Sequence, residues 1–146
     1  MISELKALST SQEKDIISLM AELVPGKVIS SSLLHNLVKS EYSHLFAITD
    51  GNDHIVGCAT LCVYDSPTGR KASVEDVVVS SCYRGRGFGK MIMEYVIEYA
   101  KRELRDVDLH LTSNPLRVVA NGLYQSLGFE KRETNSYVMM IRENEG

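Results

Sequence analysis

Residues 74–104 constrain this chain more than any other stretch. A β-branched run, Val74-Glu75-Asp76-Val77-Val78-Val79-Ser80, leads into the loop Arg84-Gly85-Arg86-Gly87-Phe88-Gly89-Lys90 and then into a long apolar helix. Alternate glycines let the backbone turn its amides toward one point, and the helix that follows adds the positive end of its dipole. Arg84, Arg86 and Lys90 supply full charge. In outline this is an anion site suited to a diphosphate. A glycine-rich turn with merely solvated cations is the competing account of the loop taken alone, and the flanking context decides between them.

Two familiar phosphate loops do not fit. A P-loop requires G-x-x-x-x-G-K-[ST], but Arg84 stands at its first glycine and Met91 at its magnesium-binding hydroxyl. A dinucleotide fingerprint requires G-x-G-x-x-G, whereas the spacing here is G-x-G-x-G. The stretch instead resembles motif A of the GNAT family of N-acetyltransferases, R/Q-x-x-G-x-G/A, met by Arg84, Gly87 and Gly89 after a valine-rich strand. In that family the loop wraps the pyrophosphate of acetyl-CoA. The resemblance therefore implies acetyl-CoA as co-substrate, with CoA as product, and contacts from Arg84, Gly85, Arg86, Gly87, Phe88, Gly89 and Lys90.

The chain of 146 residues suits a single domain spanning residues 1–146. Its formal net charge of −3 gives no global attraction to nucleic acid or to an anionic membrane, so the loop cations act locally. No segment reaches membrane-spanning length without charges, and Met1-Ile2-Ser3-Glu4-Leu5-Lys6 lacks the blocks of a signal peptide. A cytoplasmic protein is expected, with no nucleic-acid or membrane partner; homodimerisation is left open. Cys58 and Cys62 fall on one strand about 13 Å apart at ~3.3 Å per residue, too far to bridge. Cys82 has no partner, and no zinc-type spacing occurs, so no metal is expected.

Taken in order, residues 2–8 alternate weakly as a first strand. Thr10-Ser11-Gln12-Glu13 reads as a capping box for a helix with Ile16, Leu19, Met20 and Leu23 on one face, ended by Pro25-Gly26. A second helix is capped among Ser30, Ser31 and Ser32 and faces inward with Leu34, Leu37 and Val38. His35 and His44 flank it and receive no role. Residues 45–49, 55–64 and 71–80 then give three antiparallel strands. The helix after the glycines carries Phe88, Met91, Ile92, Tyr95, Val96, Tyr99 and Ala100 on a broad face and should pack centrally on the sheet. Residues 107–112 form a strand parallel to 71–80, reached by that helical crossover. Asn114 as cap, Pro115 at the first position and Gly128 as stop mark a last helix, and residues 129–132 and 137–141 make a closing hairpin.

This order of elements is that of the GNAT fold: an α/β domain with a central mixed sheet of about seven strands flanked by about four helices. A second similarity lies in Asn114-Pro115 and Ala120-Asn121-Gly122-Leu123-Tyr124-Gln125-Ser126-Leu127-Gly128-Phe129. Family members commonly end with an N-x-x-A-x-x-L-Y-x-x-L-G-F type of helix, in which an asparagine touches CoA and the tyrosine faces the thioester sulfur. The resemblance thus assigns CoA contacts to Asn114 and Asn121, and strand contacts with the pantetheine arm to Val77 and Val79. Stretch 74–90 is also similar to that of glucosamine-6-phosphate acetyltransferases, but the later helix departs from theirs.

Acyl transfer from a thioester to an amine needs a deprotonated nucleophile, a donor for the oxyanion and a proton for the departing thiolate. Tyr124 is the candidate acid and Glu75 the candidate base, acting directly or through water. Burial in a valine strand would raise the Glu75 pKa toward its working range. Asp76, placed by strand alternation on the opposite face, would hold the substrate amine or accept a structural hydrogen bond. A bulge or a splayed neighbour would free backbone amides of this strand for the oxyanion and the pantetheine arm. The expected activity is acetyl transfer to a primary amine of a small molecule or peptide by direct attack in a ternary complex. The alternative is a non-catalytic acyl-CoA-binding or sensor protein. Acceptor choice belongs to the segment between the first two helices and to the final hairpin, and neither carries a readable motif.

Overall fold

The computed structural model describes residues 1–143, which fall into two compact units, 1–112 and 113 onward. In the first unit the order is β1 (Ile2–Leu5), α1 (Thr10–Leu23), α2 (Ser31–Lys39), β2 (Ser43–Thr49), β3 (Ile55–Ser66), β4 (Gly69–Val79), α3 (Phe88–Tyr99) and β5 (Asp108–His110). A 3-10 turn, Ser81–Tyr83, joins β4 to the glycine loop, and a π-helical turn, Ala100–Leu104, ends α3. The second unit carries α4 (Val118–Ser126).

Strands β1 to β4 form an antiparallel meander, and β5 adds parallel to β4 after the α3 crossover, as the spacing requires. The described residues thus hold a mixed sheet of five strands rather than about seven. Residues 129–132 and 137–141, expected as a hairpin, carry no strand. The run Tyr137 to Ile141 is 73–88% exposed. A two-stranded hairpin without a surface to pack on is marginal at best, and Glu133-Thr134-Asn135-Ser136 supplies no glycine for a tight primed turn.

One sheet face packs against α1 and α2 through Ile16, Leu19, Leu34 and Val38, which meet Leu45, Ala47, Cys58 and Val78. On α3, Ile92, Met93 and Val96 are fully buried, each stabilising the fold by about 1.5–3 kcal/mol. The inward face of α3 therefore includes Met93, and Met91, expected inside, is 45% exposed. The Phe46 ring sits edge-on to Tyr95 and Tyr99 at centroid distances of 5.4 and 5.0 Å, which centres α3 on the sheet. His44 is structural: its Nδ1 lies 2.8 Å from Glu4 Oε2 and 3.3 Å from the Tyr99 hydroxyl, joining β1, β2 and α3.

Two helix starts differ from expectation by a local competition among similar residues. The capping box of α1 is Ser9 with Gln12, one residue earlier than Thr10 with Glu13: the Ser9 hydroxyl accepts from Gln12 N–H, and Gln12 Oε1 accepts from Ser9 N–H. Helix α4 begins at Val118, because Asn114 Oδ1 accepts from Leu116 N–H in an Asx-type turn that absorbs Pro115 before the helix starts. Ser30 caps α2, and Gly128 ends α4 at φ +104°, both as expected.

Candidate functional site

In the loop between β4 and α3, Gly85 and Gly87 adopt φ of +78° and +80°, left-handed conformations that an L-residue reaches only under strain. Gly87 is the N-cap of α3 and contributes no side-chain cap, so Gly89 and Lys90 lie in a first turn whose N–H groups have no partner within the helix. That is the backbone geometry of an anion nest at a helix N-terminus. An added Cβ at Gly85 or Gly87 would meet nothing within 4 Å. The loop is thus open and makes little packing of its own.

Its cations are placed by neighbours. Arg84 Nε donates to the Val79 carbonyl at 3.2 Å, and an Arg84 terminal nitrogen lies 3.6 Å from Glu22 Oε1 of α1. The Arg86 guanidinium lies 5.0 Å from the centroid of the Tyr83 ring. The Tyr83 hydroxyl in turn donates to Asp50 in the β2–β3 turn. Lys90 faces Glu94 one turn along α3 at 3.8 Å. Phe88 is half-buried, its ring 6.0 Å from that of Tyr83.

Strand β4 has both of the irregularities that free main-chain groups. Thr60 pairs with Glu75 and Cys58 with Val78, so Ala59 faces two residues, Asp76 and Val77. This is a bulge, and Asp76 takes up the extra length at φ +51°. On the other side β5 pairs only with Lys71, Ala72 and Ser73, which leaves residues 74–79 of β4 without a strand neighbour there among the described residues. Val77 and Val79 are half-buried along this open edge.

The two carboxylates of β4 differ from expectation in which of them is perturbed. Burial pushes the Cys62 thiol pKa up, and the charges of Glu75 and Asp76 add to the shift. Asp76 acts on Cys58 as well, whose thiol burial pushes up to about 12. Glu75 is exposed rather than buried, and it accepts from the Ser73 hydroxyl at 2.6 Å. It is the Asp76 carboxyl that is raised, by desolvation first and by the Glu75 charge second.

The second unit brings together the other three candidates. Tyr124 is buried on α4 with its ring edge-on to Phe129 at 6.2 Å. Asn121 Nδ2 donates to the Asn114 carbonyl at 3.0 Å, so the two asparagines are fixed relative to each other. The residues missed from sequence are Glu22, Asp50 and Tyr83. They sit outside the motif, and only the folded chain brings the two carboxylates to the loop.

Residues 17–129 match the family described as "Acetyltransferase (GNAT) family". The chain is similar to human N-acetyltransferase 8B, with 30% identity over 94 residues, covering 63% of this chain and 41% of that protein. It is also similar to N-acetyltransferase 8 of Rattus norvegicus, with 35% identity over 116 residues, covering 73% of this chain and 52% of the relative. The chain thus spans about half the length of the curated relatives it matches. Among solved structures, a putative acetyltransferase from Agrobacterium tumefaciens str. C58 superposes with a TM-score of 0.81 at 20% identity, over 96% of this chain and 99% of that one. An aminoglycoside acetyltransferase from an uncultured soil metagenomic sample superposes with a TM-score of 0.77 at 17% identity, over 97% and 96%. At such identities the structures show a common fold. Among the described residues no helix is long and apolar enough to cross a membrane.

Proposed function

This chain belongs to the GNAT family of acetyltransferases, and from that premise we propose that it transfers the acetyl group of acetyl-CoA to a primary amine by direct attack in a ternary complex. The observation that carries the proposal is the joining of two features at one end of β4. An open, cation-bearing nest at the start of α3 follows a strand that is bulged at Asp76 and, among the described residues, has no strand neighbour on its β5 side along residues 74–79. The names of the two relatives reported above, both N-acetyltransferases, support an amine acceptor. The family match runs through residues 17–129, which supports a single acetyltransferase domain over residues 1–146.

The roles follow from the chemistry. Gly85, Gly87 and Gly89 offer main-chain N–H groups to the diphosphate, with Arg84, Arg86 and Lys90 as counter-charges and Phe88 closing the loop. Val77 and Val79 pair main-chain groups with the amides of the pantetheine arm as an added strand would, and Asn114 and Asn121 are further CoA contacts. A β4 amide freed by the bulge donates to the carbonyl oxygen as it becomes an oxyanion. Glu75 takes the proton from the attacking amine, directly or through a water, and Tyr124 gives one to the departing thiolate. The C–N bond forms first, giving the tetrahedral oxyanion, and its collapse breaks the C–S bond and leaves the amide and CoA.

Thiol release from acetyl-CoA, followed against a panel of small amines, amino sugars and peptides, tests this. Amine-dependent release with acetylated product in the mass spectrum is the expected result. Stabilisation by CoA without turnover on any amine would instead favour an acyl-CoA sensor.

A further inference from the structure

We infer that Glu22, in the last turn of α1, is a positioning residue for diphosphate binding: it sets the start of the glycine loop by holding the Ser81 amide and the Arg84 guanidinium. The inference deepens the acetyl-CoA proposal and rests on it. Glu22 Oε1 accepts from the Ser81 N–H at 2.9 Å, a contact between residues 59 apart in the chain. The same oxygen lies 3.6 Å from an Arg84 terminal nitrogen, while Arg84 Nε is held by the Val79 carbonyl at 3.2 Å. Ser81 opens the 3-10 turn and Arg84 follows it, so one carboxylate ties together both ends of the turn that delivers the chain to Gly85.

This tie matters because the loop has little else to fix it. A Cβ at Gly85 or Gly87 would find nothing within 4 Å, and both glycines are in the region where the backbone is most permissive. Order must therefore come from the loop's ends: α3 on one side, and Glu22 with the Tyr83–Asp50 bond on the other. A nest held ready for its ligand avoids the entropy of ordering on binding. The Arg84 side chain remains 60% exposed, so its guanidinium stays open to a phosphate while Glu22, 30% exposed, is the more enclosed partner.

The sign of the effect makes the inference testable. A carboxylate that acted on a diphosphate through charge alone would repel it, and its removal would tighten binding. A carboxylate that positions the loop would weaken binding when removed. Calorimetry on the whole chain with CoA, and separately with ADP, should find Glu22→Ala about tenfold weaker for both, the scale of one hydrogen bond to a charged group. Glu22→Gln keeps an oxygen that accepts from the Ser81 N–H and should stay within about threefold of the parent. Ser81→Pro removes the same bond from the donor side. Proline suits the first position of a helical turn, and Ser80 already has the extended backbone that a following proline requires. The double variant, Glu22→Ala with Ser81→Pro, should then bind no more weakly than Glu22→Ala alone. Unchanged or tighter CoA binding by Glu22→Ala, an equal loss in Glu22→Gln, or additive losses in the double variant would each overturn the inference. Failure of the unsubstituted protein to bind CoA would instead overturn the acetyl-CoA proposal beneath it.

Discussion

The Tyr83 hydroxyl donates to Asp50 Oδ2 at 3.3 Å, and through this bond the turn between β2 and β3 supports a cation of the glycine loop. Asp50 can serve as an anchor because the Asn52 and His54 N–H groups hold its carboxyl below the usual carboxylate range. The Tyr83 ring then sits 5.0 Å from the Arg86 guanidinium. If that ring places Arg86 for phosphate, Tyr83→Ala should weaken CoA binding by about two- to fivefold, the scale of one exposed cation–π contact. Tyr83→Phe keeps the ring and should lose less. Both are read by calorimetry.

Gly87 sits at φ +80° at the head of α3, with open space where a side chain would go. Gly87→Val therefore costs strain of about 1–2 kcal/mol in the backbone rather than a clash. The fold should survive, by circular dichroism, and CoA affinity should fall by roughly tenfold or more as the nest reorients. Unaltered affinity would remove the diphosphate from this loop.

Asp76 has a raised carboxyl pKa, so the folded protein holds its proton more tightly than the unfolded chain does. The sign follows from linkage: stability associated with this group is fully present below its ordinary value of 3.8 and is lost as pH rises through the raised value. Asp76→Asn removes the loss, and asparagine tolerates the left-handed φ of this position. The variant should thus be more stable than the parent near neutral pH, with the difference vanishing near pH 3. Chemical denaturation across that range measures it.

Tyr124 and Glu75 are assigned to opposite ends of the proton traffic, and their variants should fail differently. Tyr124→Phe should lower kcat by roughly ten- to a thousandfold with little change in CoA affinity, as expected for the loss of a general acid. Glu75→Gln should abolish the acidic limb of the pH–rate profile, since that limb reports a base that must be ionised. Full kcat in Tyr124→Phe, with chemistry shown to limit the rate, would make the tyrosine structural.

CoA at a hundredfold above its dissociation constant should stabilise the protein by about 2.7 kcal/mol, and ATP or NAD at equal concentration much less. An equal shift with NAD would point to a general nucleotide site.

What the sequence made legible was local. The valine strand, the glycine loop and the helix after it are written in consecutive residues, and β1 to β5 all occur in their expected order. What it hid was either distant or ambiguous. Glu22 and Asp50 reach the loop from 59 and 33 residues away, and no spacing rule records such a contact. The position of the bulge was invisible because Asp76, rather than a glycine, occupies the left-handed position. Glu75 was expected to be buried from its valine neighbours, yet among the described residues the strand has no β5-side neighbour beyond Ser73, and Glu75 is exposed. The run at 137–141 has the composition of a strand, but composition cannot supply the surface against which a strand forms.

The extra residue in β4 gives the strand an unusual genetic property. Beyond the bulge Val78 still meets Cys58 and Val79 still meets Gly57, so the slip is confined to a single position. Loss of a codon elsewhere in the paired part of β4, away from Asp76 and Val77, would move part of the ladder by one and turn its side chains to the wrong face. Loss of the codon for Asp76 would leave every flanking pair where it is and merely straighten the strand. A one-residue deletion, ordinarily the most damaging change a β-strand can suffer, is here the mildest way to erase the free main-chain groups while leaving the sheet and the glycine loop in place.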